Sequence, residues 1–77
     1  MRRMAREAPL VARRIAEVRE SKNMTRVGLG KLVGLTYLQV YRIEKGQTDV
    51  SAEVVSEIAS ALGVSAGSFY RESKAAS

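Results

Sequence analysis

At 77 residues the chain is long enough for one domain, and 45% apolar residues suit a folded domain rather than a disordered one. It contains neither cysteine nor histidine, which excludes disulfides and thiolate metal sites and removes the commonest catalytic base and metal ligand. The net charge of +5 is uneven: residues 1–48 hold eleven Lys and Arg against four Glu, a balance of +7, while residues 49–77 hold two against four acids, a balance of −2.

Residues 1–8 read as a basic, frayed arm carrying Arg2, Arg3 and Arg6. Pro9 suits the first turn of a helix, and Val11, Ile15 and Val18 then recur at helical spacing, so a first helix is predicted over 10–22. Asn23 can take the left-handed conformation that ends it. Thr25 is a good N-cap for a second helix over 26–33, with Leu29, Leu32 and Val33 as its apolar stripe and Gly34 as its stop. Thr36 caps a third over 37–45, with Val40 and Ile43 inward and Gly46 at the end. Ser51 caps a fourth over 52–62, where Val54, Val55, Ile58, Ala61 and Leu62 face inward before Gly63. Ser65 opens a last short helix in which Phe69 and Tyr70 close the core, and 72–77 is a tail. Met24, Leu32, Ile58 and Phe69 are assigned to the core. The expected fold class is all-α, a compact five-helix domain over 9–71.

No run approaches the ~18 apolar residues of a membrane span. Arg13 and Arg14 break any apolar stretch a secretory leader would need, and Glu7 and Glu17 argue against an organelle presequence. A basic half and a slightly acidic half give the molecule one face for anions, nucleic acid first and an anionic membrane surface second.

Only residues 34–36 separate the second and third helices, and so short a turn forces a steep crossing, as in a helix-turn-helix. The crossing requires a tiny residue facing the third helix, which Gly30 supplies, a left-handed residue in the turn, Gly34, and a compact apolar residue docking back, Val40. Gly28 has no such reason. The stretch "GLGK" hints at a phosphate loop, but the spacing fails: Thr25 stands where that loop has Gly, and Leu32 where it has Ser or Thr.

The stretch "MTRVGLGKLVGLTYLQVYRIEKG" resembles the helix-turn-helix of the phage-repressor and Cro-like (XRE) family, and "VSAEVVSEIASALGVSAGSFY" resembles that family's fourth and fifth helices. The resemblance covers about residues 11–70. It implies a lambda-repressor-like five-helix domain that binds double-stranded DNA, usually as a dimer, and regulates transcription. Two positions depart from the pattern. The family usually has Gln where this chain has Arg26, and Ala where it has Gly30.

The third helix is then the candidate reader of the major groove. With Val40 at the centre of the inward face and 100° per residue, Leu38 and Arg42 lie about 160° away, Lys45 about 140° and Tyr41 about 100°. The resemblance implies base contacts by Tyr37, Leu38, Gln39, Tyr41 and Arg42. Leu38 could meet a thymine methyl and Arg42 a guanine or a phosphate. Against this stands the ordinary reading of Leu38 as a scattered surface apolar residue. Phosphate contacts are expected of Arg26, Thr36, Lys45, Gln47 and Thr48, with Thr36 first of all a cap and Asp49 limiting what its loop can grip. Arg2, Arg3 and Arg6 could enter a minor groove or simply keep the end soluble. Arg19 and Glu44 are expected, on the same resemblance, to form an ion pair across the core.

The expected function is a sequence-specific transcriptional regulator, a repressor on a palindromic operator as a dimer, in a bacterial or phage setting in the cytoplasm. The helix around Phe69 and Tyr70 is the expected dimer surface. No cofactor, metal, membrane or small-molecule ligand is expected, and no nucleophile–base constellation suggests an enzyme. The competing class is a protein-interaction module, with Leu38 and Tyr41 as a partner surface and the basic half meeting an acidic partner.

Overall fold

Thr25, Thr36 and Ser51 each sit in extended backbone and accept a hydrogen bond from the amide three residues on, at Gly28, Gln39 and Val54. Each side-chain oxygen thereby satisfies one of the free N–H groups that open a helix. The helices they start are α2 (Arg26–Val33), α3 (Tyr37–Glu44) and α4 (Ala52–Leu62), preceded by α1 (Glu7–Ser21). The computed structural model describes residues 7–71, so Arg2, Arg3 and Arg6 of the expected arm, and the tail, lie outside it. Glu7 and Ala8, read as arm, belong to α1.

The chain ends of these helices follow their left-handed residues. Gly34 and Gly63 both stand at φ 76°, a conformation glycine takes without strain, and each turns its N–H back on the helix it closes. Among the described residues, Asn23 is the non-glycine residue of positive φ, at 57°, between α1 and α2. The Thr36 cap is the most complete. Its hydroxyl accepts from Gln39 N–H at 3.1 Å while Gln39 Oε1 accepts from Thr36 N–H at 2.8 Å. Thr36→Ala is expected to cost about 1 kcal/mol, read as a lower urea midpoint at unchanged m-value.

Among the described residues there is no strand, and four α-helices are followed by one 3-10 helix (Ala66–Tyr70). The expected fifth helix is therefore a single tighter turn. Its period of three residues buries Phe69 completely and leaves Tyr70 about half exposed, so Tyr70 does not close the core. Phe69 is equally unavailable to a dimer surface. The core is Ile15, Leu29, Val40, Ile43, Val55, Ile58, Ala59, Leu62 and Phe69, drawn from all five elements. α1 packs on the 3-10 helix and on α3, while α2 packs on α3 and α4.

Leu32, assigned to the core, is 61% exposed. The buried residues of α2 are Leu29 and Gly30, with Val33 partly covered. At 100° per residue these three centre the inward face about 50° beyond Leu29, which puts Leu32 about 110° from that centre. Centring the stripe on Leu29 alone overlooks the part of the face that Gly30 gives to α3.

Candidate nucleic-acid interface

α3 is eight residues long and divides cleanly. Val40, Ile43 and Glu44 are buried, and Tyr37, Leu38, Gln39 and Arg42 are exposed. Tyr37 and Leu38 are each about half accessible, as are Val27 and Tyr70, and what sets them apart is that they adjoin on α3. Lys45 caps the helix C-terminus, where a cation complements the helix dipole, and Gln47 and Thr48 follow it on the surface. Apart from Arg26 at the start of α2, the residues expected at bases and at phosphates thus lie on α3, its N-cap Thr36 and the turn after it.

The structure brings some of them into a cluster that spacing did not disclose. Tyr37 and Tyr41, one turn apart, stack at 6.2 Å between ring centroids and 24° between planes. The Arg26 guanidinium carbon lies 5.2 Å from the Tyr41 centroid and 6.0 Å from that of Tyr37, and Lys45 Nζ lies 5.6 Å from Tyr41. These are cation–π distances. Tyr41 is only partly exposed as a result, so the apolar face shown to solvent is mainly Tyr37 and Leu38. Gln39 spends its side-chain oxygen on the Thr36 cap, which leaves its amide N–H groups to meet a partner.

Beneath the cluster is a buried charge network. Arg19 donates from Nε to Glu44 Oε2 at 2.6 Å and from Nη2 to Glu44 Oε1 at 3.1 Å, while its Nη1 reaches the Met24 carbonyl at 2.8 Å. Arg26 Nε donates to Glu44 Oε1 at 2.8 Å. Glu44 is thus shared by two arginines, with its side chain 1% exposed. The Glu44 hydrogen bond, against the desolvation of partial burial, holds the Arg26 guanidinium above the usual arginine range. Arg26, expected at a phosphate, has committed one nitrogen and one face within the protein. No spacing in the sequence links positions 26 and 44; the pairing exists because α2 and α3 cross. The partial resemblance signal was Arg26 itself, the departure from the usual Gln.

Among the described residues no helix is long and apolar enough to cross a membrane, and no group of His, Cys, Asp or Glu could hold a metal ion.

The profile of the helix-turn-helix family HTH_3 matches residues 15–69. An uncharacterized HTH-type transcriptional regulator of Sinorhizobium fredii, y4aM, is 37% identical over 62 residues, which are 80% of this chain and 43% of that protein. The chain therefore spans less than half the length of this relative. Among solved structures, the restriction-modification controller protein C.AhdI of Aeromonas hydrophila superposes with a TM-score of 0.80 at 26% identity, over 84% of this chain and 98% of that one. HppE, crystallised with Fe(II) and substrate, superposes with a TM-score of 0.77 at 26% identity over 83% of this chain, but over only 37% of its own. The similarity in that case is to one part of a larger protein. With the α2–α3 unit and its short turn inside a match that runs from the middle of α1 into the 3-10 helix, the chain belongs to the XRE-type helix-turn-helix family HTH_3.

Proposed function

We propose that this chain is a DNA-binding transcriptional regulator in which α3 enters the major groove of duplex DNA. The observation that carries the reading is the exposed face of α3. Tyr37, Leu38 and Arg42 stand outward on a helix held by a helix-turn-helix unit, in the half of the chain whose charge balance is +7. A thymine methyl gives exposed Leu38 an apolar partner that water does not. Arg42 and the tyrosine hydroxyls supply hydrogen bonds to base edges, and Lys45, Gln47, Thr48 and the Thr36 hydroxyl lie where the backbone would pass.

The finer reading is a dimer on a palindromic operator, with two copies of α3 in successive major grooves about 34 Å apart. The half-exposed Tyr70, on the 3-10 helix away from α3 in the chain, supports a self-contact there. The likeness to C.AhdI over nearly its whole length supports a domain of this size acting as a controller. Repression is the simplest outcome, because it needs only that the site be occupied.

The test is selection of bound fragments from a randomised duplex pool, followed by binding titrations across salt. A single preferred motif with two symmetric half-sites is expected. Affinity should fall by about 0.9 decades per decade of salt for each phosphate neutralised, so four to six contacts give a slope near −4 to −5. If no duplex in the pool is retained at low salt, the reading is wrong.

A further inference from the structure

The geometry points to a task for Arg26 other than gripping the DNA backbone: we infer that it is a positioning residue, which fixes the Tyr37–Tyr41 face of α3 and so governs which sequence is chosen. The inference rests on the DNA-binding reading above.

Three observations carry it. The first is where Arg26 is anchored. Its Nε donates to Glu44 Oε1 at 2.8 Å, and Glu44 cannot follow a moving partner, because both its oxygens also hold Arg19 at 2.6 and 3.1 Å. Arg19 is in turn fixed to the Met24 carbonyl at 2.8 Å. One buried carboxylate therefore links α1, the loop before α2, α2 and α3.

The second is what the free face of the guanidinium meets. It lies over Tyr41 at 5.2 Å and reaches Tyr37 at 6.0 Å, and the two rings stack on each other. An exposed tyrosine on a helix has more than one χ1 rotamer open to it. A planar cation hydrogen-bonded at its edge and stacked on its face selects among them, which is the kind of support that keeps a contacting side chain within the tolerance a base edge demands.

The third is the chemistry of the side chain itself. Glutamine has no guanidinium to lay over two rings while bonding a buried carboxylate. Lysine has the charge and lacks the plane. Arginine is the side chain that does both at once.

Two variants separate positioning from phosphate contact. Arg26→Lys keeps a cation opposite Glu44 and removes the planar face. With the site selected by the unchanged protein, its preference for that site over a scrambled duplex is expected to fall roughly tenfold, the discrimination of about one good base contact. In the free protein, the ring proton shifts of Tyr37 and Tyr41 are expected to move by NMR, while the amide spectrum of α4 stays in place. Arg26→Gln removes the charge. A positioning residue leaves the salt slope within about half a unit, whereas a phosphate contact made once by each subunit of the dimer makes it shallower by about two. The inference is overturned if Arg26→Gln loses about two units of slope while Arg26→Lys keeps its preference, or if the two rings do not shift in Arg26→Lys. Should the unchanged protein retain no duplex at all, the DNA-binding reading fails instead, and the ring shifts alone still decide whether Arg26 sets the tyrosines.

Discussion

Glu44→Ala is expected to destabilise the domain by about 3–5 kcal/mol, because it strands buried cationic charge. The Arg19 side chain is 8% exposed and loses both its hydrogen bonds to Glu44, keeping only the Met24 carbonyl and a 3.6 Å contact to exposed Glu20, and Arg26 loses its anchor at the same time. A domain of this length holds only about 4–12 kcal/mol in all. The melting temperature should therefore fall by at least about 12 °C, at roughly 4–8 °C per kcal/mol for a domain of this size. The control is Glu17→Ala. Glu17 also makes a 2.6 Å contact, to Arg14, but its side chain is 47% exposed and water can replace the partner. That variant should lose no more than about 1 kcal/mol. The shortest contact is the same length at the two sites, while burial and the number of bonds are not, so these decide. Thermal melts followed by circular dichroism test this, and equal losses for the two variants would refute it.

The same network marks the limit of what the amino-acid order discloses. Helix positions were legible because their causes are local. Thr25, Thr36 and Ser51 cap by reaching three residues on, and Asn23, Gly34 and Gly63 stop helices by their own backbone angles. The Arg19–Glu44 pairing was accessible only through resemblance. Arg26 joining it was not accessible at all, since it depends on how α2 and α3 cross and on the length of one side chain. Leu32 and Tyr70 show a second limit. Both are apolar residues beside a real stripe, and which way they face turns on about 60° of helix rotation or on a 3-10 turn replacing an α-turn. Neither difference is encoded in apolar spacing alone. On α3 the outward positions of Leu38 and Arg42 followed from the position of Val40, because that helix is regular from cap to cap, whereas Tyr37, about 60° from Val40, is exposed because it opens the first turn. Tyr41 lay at the edge of that set, and its stacking with Tyr37 under Arg26 is a tertiary outcome.

Gly30→Ala sets local propensity against tertiary fit, and fit should win. In an open helix the change gains about 1 kcal/mol, since alanine has the higher helix propensity. The family resemblance points the same way, because Ala is the usual residue there. In this structure, however, a Cβ at Gly30 would stand 2.3 Å from the Leu35 carbonyl oxygen and 3.2 Å from its carbon. The obstacle is backbone, and that backbone is pinned on both sides. Leu35 N–H donates to the Gly30 carbonyl at 2.8 Å, Gly34 fixes the turn at φ 76°, and Thr36 is locked in its capping box. Relief requires α2 and α3 to part, which loosens Val40 from its place in the core. A clash with backbone at 2.3 Å belongs at the upper end of the about 1–3 kcal/mol that overpacking costs, so a net loss of about 1–2 kcal/mol is expected after the gain in propensity. Gly28→Ala is the comparison, with its Cβ 3.1 Å from Thr25 Oγ1 and 3.5 Å from Met24 Cγ, both side-chain atoms that can give way. There the gain in propensity and the disturbance of the Thr25 cap are each about 1 kcal/mol and should nearly cancel. Urea titrations of the two variants decide the matter. If Gly30→Ala matches or exceeds the parent's stability, the turn is softer than its hydrogen bonds imply and the close crossing is not what requires glycine.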